Sequence, residues 1–511
     1  MTKTPAGSSE SPLTVSKVMA KLMRLYGAEY VFTLTGAPQN PHIDLQTREG
    51  IKIVLGRSER SALAMGDAYA RVTGKPTFSM VQYGPGATYL PASIIDAYWA
   101  NSPLVNISGS TTTNTRHRFE YQEVDQTPMF TGMTKWAGDL PRPERIADIL
   151  RTAIRASVSG VPGPSYLGIP ADWFNKPLET APDIYAEPAF MKVPACRVAP
   201  MVSDVERAVA LLAKAEKPVI IAGGGVILSG AWAELTALAE ALNVPVVTTM
   251  SGKGSIADTH PLAVGTVGRY SRKVANNVLG LADFVLAVGT KLSSMGTNVF
   301  QYPHKGTTIA HFDMDPTALG RTYREEVSAV SDAREALKLL REAAVVSKLN
   351  GSRWSSWTKE VQGQVAAWLK DLERESREPM YEGHLNPFHI MHLLDKHLGA
   401  DDMLVADTGY MAAWASTVLQ QKKAGRNTLR AAGSLGWAFP AAFGAKLAVG
   451  PTRRVFGLSG DGGAGYHLTE LETALRLKIP VVQIILNNCS LAFEYHVQKY
   501  VHEEMCPEAS E

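Results

Sequence analysis

The chain has 511 residues, more than a single hydrophobic core organises, so we expect about two to four domains. Hydrophobic residues make up 45% and charged residues 20%, as in ordinary globular proteins, and the formal net charge of +2 gives no reason to expect nucleic-acid or membrane-surface binding. The three cysteines have no paired spacing, which predicts a reducing compartment and no disulfide framework.

The first residues, MTKTPAGSSESPLT, are polar and rich in Ser and Pro. They lack the apolar segment of a signal peptide and are predicted to be a disordered leader. No apolar run elsewhere is long enough to cross a bilayer. The sequence therefore predicts a cytoplasmic protein.

Short Val, Ile and Leu runs alternate with longer helical patterns, which predicts parallel sheets covered by helices. Residues 13–177 form the first block, with the candidate strands YVFTL, IKIVL, TFSMV, PLVNIS and SYLGI. A Pro- and Ala-rich linker precedes residues 198–344, with PVIIAG, VPVVTT, DFVLAVG and TIAHFDMD. A polar helical connector leads to residues 380–511, with DMLVADTG, RVFGLSG and VVQIILNN. We predict an α/β protein with three consecutive open parallel-sheet domains.

A strand-helix-strand unit in the third block places two oxygen-bearing side chains at matching positions. VFGLSG is predicted to end at Asp461, and PVVQIILNN to end near Asn488. The helix between them, HLTELETALRLK, carries Leu468, Leu471 and Leu475 on one face, which predicts an amphipathic helix. Because parallel strands end at the same edge of a sheet, the two polar residues are expected to be neighbours. Their oxygens suit Mg²⁺, which commonly shares its coordination shell with phosphate.

Two glycines follow the acidic residue of this unit. Gly462 and Gly463 would let backbone N–H groups approach a phosphate at the start of the helix. GDG alone is common in turns, and Asn-Asn alone often opens a loop. The two together, in a strand-helix-strand context, predict a clamp for a metal ion and a diphosphate.

The joint pattern resembles the diphosphate motif of thiamine-diphosphate (ThDP) enzymes, in which GDG is followed after one such unit by NN. By that resemblance the metal ligands would be Asp461, the side chain of Asn488 and the backbone carbonyl of Ser490. The three blocks resemble, in order, the pyrimidine-binding, central Rossmann-like and diphosphate-binding domains of acetolactate-synthase-like enzymes. The resemblance implies catalytic centres shared between subunits, hence a homodimer or homotetramer. Relatives continue past the point where this sequence ends, so a further C-terminal segment that closes the active site is expected.

The segment IKIVLGRSERSALAMGDAYARVTGKP places Glu59 after a strand and at the start of a helix. A glutamate in the first turn, with Ser58 as the cap, could serve only to stabilise the helix dipole. The segment also resembles the family pattern in which this glutamate hydrogen-bonds the pyrimidine ring of ThDP and activates the cofactor. The next stretch, QYGPGATYL, would supply a tight loop near the cofactor, from Gly84 to Gly86.

Two stretches of the third block resemble the family's other cofactor contacts. In AAGSLGWAFPAAFGAKLA the implied roles are a carbonyl from Gly433 for the pyrimidine amino group and an apolar wedge from Leu435. Packing in the core is the alternative for this leucine. In DTGYMAAW, Gly409, Tyr410 and Met411 match the diphosphate-side loop loosely.

Three residues bear on the reaction. Gln122, in FEYQEVDQTPMF, resembles the family's Phe-Gln-Glu segment and would orient the acyl group, although a surface-loop residue is the alternative. Glu494, in NNCSLAFEYHVQKY, resembles the proton-shuttling glutamate of 2-oxoacid decarboxylases and 2-hydroxyacyl-CoA lyases, and an exposed helical glutamate is the alternative. Its neighbour Phe493 would limit the substrate pocket.

The second block carries signs of a nucleotide site. AGGGVILSG, whose glycine triplet has Gly224 at its centre, follows one strand, and Asp313 ends another, as for phosphate and ribose contacts. GRYSRK adds Arg269, Arg272 and Lys273, which would meet the phosphates of coenzyme A (CoA). In relatives this domain binds FAD, binds ADP or CoA, or binds nothing, and the basic residues could equally form a solvated face.

The sequence as a whole predicts a ThDP- and Mg²⁺-dependent lyase or carboligase. Reversible cleavage of a 2-hydroxyacyl-CoA to formyl-CoA and an aldehyde or ketone is the first hypothesis. A 2-oxoacid decarboxylase or an acetolactate synthase is the alternative on the same fold, and a catalytically silent nucleotide-binding regulatory subunit is the alternative of another class. A nicotinamide dehydrogenase is disfavoured, because no G-x-G-x-x-G opens a strand-helix unit.

Overall fold

The computed structural model describes residues 12–36, 40–379 and 385–506. The chain divides into two compact units, one made of Met1–Ala70 with Lys75–Lys192 and one made of Arg71–Gly74 with Val193–Glu511. Most of the predicted leader and the start of the predicted third block lie outside the described residues.

The first unit contains one parallel sheet. Its strands are β1 (Tyr30–Leu34), β2 (Lys52–Leu55), β3 (Thr77–Val81), β4 (Leu104–Ser110), β5 (Trp136–Asp139) and β6 (Ser165–Pro170). Its helices are α1 (Val15–Leu25), α2 (Asn40–Ile43), α3 (Glu59–Thr73), α4 (Pro85–Tyr89), α5 (Pro91–Trp99), α6 (Thr127–Phe130) and α7 (Ile146–Val158). The strand order is β2-β1-β3-β4-β6-β5. Strands β3, β4 and β6 are buried along their whole length, as expected of parallel strands covered on both faces.

The second unit begins with another six-stranded parallel sheet. Its strands are β7 (Pro218–Ala222), β8 (Val246–Thr248), β9 (Ala263–Thr266), β10 (Phe284–Val288), β11 (Thr308–Asp313) and β12 (Val327–Val330), in the order β12-β11-β10-β7-β8-β9. Its helices are α8 (Val202–Leu212), α9 (Gly224–Ser229), α10 (Trp232–Leu242), α11 (Lys273–Leu281), α12 (Ala333–Val346) and the long α13 (Ser355–Glu375).

A four-stranded parallel sheet completes the second unit. Its strands are β13 (Met403–Ala406), β14 (Thr428–Arg430), β15 (Val455–Gly460) and β16 (Val482–Leu486), in the order β14-β13-β15-β16. Its helices are α14 (Pro387–His397), α15 (Tyr410–Thr417), α16 (Ala438–Val449), α17 (Asp461–Gly465), α18 (Glu470–Arg476) and α19 (Ala492–Val497). The prediction of an α/β protein with three open parallel sheets is confirmed. The predicted domain boundaries stay a prediction.

Strand ends position most of the candidate site residues. Glu59 opens the helix after β2, and Gly84 follows β3. Gly409 precedes the helix after β13, and Asp461 starts the helix after β15. Strands β15 and β16 are paired in parallel up to the register pair Gly460–Leu486, so the chain leaves both strands at the same edge.

The helix between β15 and β16 does not bury its leucines. Leu468, Leu471 and Leu475 are 47%, 53% and 80% exposed. The prediction of an amphipathic helix at this position was therefore wrong on one point: its apolar face is not buried within this chain. Regular helix covers only Glu470–Arg476, and the neighbouring strand β16 is at the edge of its sheet with both faces partly open. Among the described residues, no helix combines the length and the apolar character needed to span a membrane.

Candidate functional site

The predicted metal ligands converge at the carboxyl ends of β15 and β16. In the orientation that satisfies its hydrogen bonds, the amide of Asn488 donates to Asp461 Oδ1 over 3.3 Å and to the carbonyl oxygen of Ser490 over 2.9 Å. Turning that amide would present three oxygens, one of them anionic, to a common point. This hard donor set suits Mg²⁺, which takes one or two carboxylates and completes its shell with phosphate and water. Among the described residues, no group of three His, Cys, Asp or Glu side chains could hold a metal ion.

The loop after β15 is shaped by a buried carboxylate. Asp407, at the end of β13, is 1% exposed, and its Oδ2 accepts a hydrogen bond from the backbone N–H of Gly436 over 2.9 Å. A Cβ added to Gly463 would lie 2.5 Å from the same oxygen, so only glycine fits there. Gly462, beside Asp461, is exposed.

The other predicted cofactor contacts of this unit differ in exposure. Gly409 adopts φ 67° at the start of α15, a conformation that favours glycine. Met411 is 7% exposed and packs in the apolar core, which favours a structural role for its side chain. Gly433 is exposed, and Leu435 is 37% exposed, so core packing does not account for this leucine. Tyr410 stacks on Trp414 and lies half-buried at the surface of the sheet edge.

Glu59 lies beside the predicted tight loop in the first unit. A Cβ added to Gly86 would lie 3.1 Å from Glu59 Oε1. Ser58 Oγ accepts a hydrogen bond from the N–H of Ser61 over 3.1 Å, so the serine caps the helix as expected. Burial raises the pKa of Glu59, because the charged carboxylate is poorly solvated there. A carboxyl group with a raised pKa next to a glycine loop is a candidate for proton exchange with a bound ring nitrogen.

Gln122 faces the same loop. Its backbone has φ 61°, and its carbonyl oxygen would lie 2.6 Å from a Cβ added to Gly84. Its side-chain Oε1 accepts a hydrogen bond from Gln82 Nε2 over 2.5 Å. Because the oxygen of the Gln122 amide is occupied in this way, its nitrogen is left to donate to another oxygen.

Glu494 and Phe493 lie near an aromatic cluster in the second unit. The ring of Phe493 lies 6.2 Å from that of Tyr270 and 5.6 Å from that of Tyr410. The hydroxyl of Tyr410 shares a hydrogen bond of 2.5 Å with His496 Nδ1. Burial raises the pKa of Tyr270, and the nearby negative charge of Glu494 adds to this effect. Glu494 itself is exposed.

The glycine triplet of the second block packs against another backbone. The N–H groups of Gly223 and Gly225 donate to Val288 O and Gly289 O, each over 2.9 Å. A Cβ added to Gly225 would lie 2.6 Å from the Cα of Gly289. The outer two glycines therefore allow two loops to cross, while Gly224 is partly exposed between them.

Asp313 is buried at the end of β11. Its Oδ1 accepts a hydrogen bond from the backbone N–H of Asp315 over 2.8 Å. Burial raises its pKa despite this bond. As a ribose contact this aspartate stays a prediction.

The three basic residues of GRYSRK do not form one surface. Arg269 and Lys273 are exposed, whereas Arg272 is 1% exposed. The Arg272 guanidinium donates to Thr417 O over 2.9 Å and lies 3.5 Å from Asp258 Oδ1. These contacts disfavour Arg272 as a ligand of CoA phosphates, because its charge is already buried in the protein.

Asp258 lies between two buried cations. Lys253 Nζ is 2.7 Å from its Oδ2, and Arg272 approaches its Oδ1. Burial acts to raise the pKa of Asp258, but the charges of Lys253 and Arg272 outweigh it and lower the pKa.

We expect Asp258→Asn to destabilise the chain by about 3 kcal/mol, because it leaves two buried cations without a counter-ion. The free energy of unfolding in urea measures this loss. Asp401→Asn is the matched control, since Asp401 pairs with Lys423 on the surface at 72% exposure and its loss should leave stability almost unchanged. Equal losses in the two variants would contradict the expectation.

Sequence reasoning missed three polar residues of the site: Gln82, Gln126 and Asp407. Each lies two to four residues from a predicted site residue in the same motif segment. In the sequence they can be recognised only as polar residues within segments that become buried. The hydrogen bonds that make them important are visible only in the structure.

Comparison with known proteins covers most of the chain. Residues 13–129 match the N-terminal TPP binding domain of thiamine pyrophosphate enzymes, residues 205–340 match their central domain, and residues 407–509 match their C-terminal TPP binding domain. Thiamine pyrophosphate is another name for ThDP.

Several curated proteins are similar over nearly the whole chain. A probable acetolactate synthase large subunit of Methanocaldococcus jannaschii is 30% identical over 94% of this chain and 81% of its own length. A sulfoacetaldehyde acetyltransferase of Castellaniella defragrans is 30% identical over 93% of the chain and 81% of its own length. A glyoxylate carboligase of Escherichia coli O157:H7 is 30% identical over 96% of the chain and 83% of its own length. The chain therefore belongs to the thiamine pyrophosphate enzyme family, whose acetolactate-synthase-like members form or break carbon–carbon bonds.

Proposed function

We propose that this chain joins or cleaves carbon–carbon bonds of a small 2-oxo acid, as a ThDP- and Mg²⁺-dependent carboligase of the acetolactate synthase type. The observation that carries the proposal is the amide pair of Gln82 and Gln122 beside the loop that also borders Glu59. With its oxygen occupied by Gln82, Gln122 offers N–H donors to a carbonyl or carboxylate oxygen of the substrate. The names of the acetolactate synthase and glyoxylate carboligase relatives support a 2-oxo acid.

The chain's own residues would divide the work as follows. When bound, ThDP supplies an electron sink for the carbon atom next to the carbonyl group. Asp461, Asn488 and the carbonyl of Ser490 would hold Mg²⁺ and, through it, the diphosphate. Glu59 would exchange a proton with a pyrimidine nitrogen, and Glu494 would move a proton to or from the substrate oxygen.

Cofactor contacts from the exposed loops would complete the site. The carbonyl of Gly433 would accept a hydrogen bond from the pyrimidine amino group, and Leu435 would hold the cofactor bent. We also propose that two or four copies of the chain associate, as the resemblance to acetolactate-synthase-like enzymes implies.

A second candidate is reversible cleavage of a 2-hydroxyacyl-CoA. It is favoured by Glu494, an acid-base group beside Phe493 and Tyr270 in the second unit. Arg269 and Lys273 are exposed and available to an anionic substrate. The burial of Arg272 and the backbone contacts of the glycine triplet weaken this candidate, because both remove groups that CoA would use.

Mass spectrometry of the products distinguishes the two reactions. We incubate the protein with ThDP, Mg²⁺, a mixture of 2-oxo acids and a mixture of 2-hydroxyacyl-CoAs. Condensed products with released CO₂, and thioesters left intact, are expected. Formyl-CoA with a free aldehyde or ketone would overturn the first candidate in favour of the second, and no product from either mixture would contradict both.

Glu494→Gln is expected to lower turnover about 100-fold in the same assay, because the amide cannot accept and return a proton. Glu503→Gln, another exposed glutamate of the C-terminal segment, is the control and should turn over like the parent. Parent-like turnover of Glu494→Gln would remove Glu494 from the mechanism.

A further inference from the structure

The side chain of Gln126 forms several hydrogen bonds near the candidate site of the first unit. Its Oε1 accepts from the backbone N–H of Gly84 over 2.6 Å. Its Nε2 donates to Gly109 O over 2.8 Å and also contacts Tyr166 Oη and Ser108 Oγ, at 3.0 and 3.2 Å. The residue is 3% exposed, so water does not compete for these bonds.

These bonds tie the loop after β3 to two buried strands. Gly109 belongs to β4 and Tyr166 to β6, two strands that are fully buried. The ring of Tyr166 also stacks on Phe130 with centroids 3.7 Å apart. Gly84, by contrast, lies in the loop between β3 and α4 with φ 62°, a conformation that glycine adopts without strain. Gln126 thus fixes the position of the loop against the sheet.

The loop in turn determines where Gln122 sits. The Gln122 carbonyl lies so close to Gly84 that a single methyl group at Gly84 would collide with it, at 2.6 Å. Gln126 is four residues further along the same segment. One carboxamide therefore holds both partners of this contact, the loop through Gly84 and the segment through its own backbone.

We propose that Gln126 is a positioning residue, which holds the Gly84 loop and the Gln122 amide at the distance that the reaction requires. This inference rests on the proposed role of Gln122 in binding the substrate. Gln126 makes no contact with substrate or cofactor in this scheme. Its effect passes through Gln122, whose donors lose their direction when the loop relaxes.

Gln126→Met tests this proposal, because methionine has a similar length and no hydrogen-bonding amide. We expect kcat/KM for the 2-oxo acid to fall about 10-fold to 100-fold, since a misplaced donor group costs that order of rate. Binding of ThDP with Mg²⁺ should stay within about threefold of the parent, because the metal ligands belong to the other unit. Asn106→Leu is the matched control: Asn106, on β4, is another buried amide, and within the described part of the chain its side chain bonds to Ser79 Oγ and Ser165 O.

The control separates a positioning effect from lost stability. Both variants should unfold at lower urea concentrations than the parent, and only Gln126→Met should lose kcat/KM under conditions where both are folded. Equal kinetic losses in the two folded variants, or parent-like kcat/KM in Gln126→Met, would overturn the proposal.

A double variant tests the route through Gln122. If Gln126 acts through that residue, Gln122→Met with Gln126→Met should have the kcat/KM of Gln122→Met alone, within about twofold. Independent, multiplying losses would overturn the route. A parent-like Gln122→Met would instead remove Gln122 from the reaction, and with it both the proposed substrate contact and this inference. A reduced Gln122→Met beside a parent-like Gln126→Met would leave the proposed function intact and reject the positioning role alone.

Discussion

Asp461→Ala is expected to weaken binding of ThDP with Mg²⁺ by more than about 100-fold and to abolish turnover. The aspartate supplies the one anionic oxygen among the three that converge at the ends of β15 and β16. Without this ligand the protein would hold Mg²⁺, and the diphosphate bound to it, less tightly, and loss of groups that merely support metal ligands already costs about 10-fold to 100-fold. Calorimetric titration of the protein with ThDP at fixed Mg²⁺ measures the change.

Two variants make this result specific. Asp461→Asn keeps an oxygen at the same place without the charge and should bind more tightly than Asp461→Ala. Asp402→Ala removes a carboxylate whose partner is Arg454, away from the predicted ligands, and should bind ThDP as the parent does. Parent-like affinity in Asp461→Ala would show that the metal is held elsewhere.

Glu59→Gln is expected to lower turnover by about 100-fold to 10,000-fold while ThDP binding stays within a few-fold of the parent. The amide keeps the shape of the side chain but cannot exchange a proton with the pyrimidine ring. The rate of hydrogen–deuterium exchange at the reactive carbon of bound ThDP, followed by NMR after acid quench, measures the activating step directly. Full exchange at the parent rate would exclude Glu59 as the activating residue.

The stability of the same variant provides an independent check with a defined sign. Burial raises the pKa of Glu59 in the folded chain. The group's contribution to stability is therefore present below the unfolded carboxyl pKa, about 4.3, and is lost as the pH rises through the higher folded pKa. The Glu59→Gln variant has no carboxyl group to ionise, so it does not lose this stability as the pH rises. Its unfolding midpoint in urea should match the parent near pH 4 and exceed it at pH 8, whereas a lower midpoint at pH 8 would mean that the protein stabilises the charged carboxylate.

The long buried strands could be predicted from the sequence because each coincides with a run of mostly apolar residues. YVFTL and TFSMV coincide with β1 and β3, and TIAHFD with β11. The missed strands are short and lie at or beside sheet edges. β5, for example, reads WAGD, and β12 reads VSAV with alternate residues exposed, so neither carries an apolar run of its own.

The residues of the candidate site likewise divide into those that the sequence could predict and those that required the structure. The proximity of Asp461 and Asn488 followed from strand order, because parallel strands with a known connection end at one edge, whereas Ser490 was implied only by the family resemblance. The burial of Arg272 did not follow, since a basic run is exposed in most proteins and its buried partners, Asp258 and Thr417 O, are distant in the sequence. Gln126 needed the fold as well, because its partners are 17 to 42 residues away along the chain.

The crossing of Gly225 and Gly289 has a consequence for how glycine patterns are used to assign ligands. A side chain at Gly225 would meet the other backbone whether or not a nucleotide ever binds nearby. Two glycine-rich loops that touch in this way require residues without a side chain for their packing alone. Surveys that count such triplets as evidence of nucleotide binding will include proteins in which the glycines serve only to let two backbones pack closely. The triplet becomes informative only where its N–H groups lack protein acceptors.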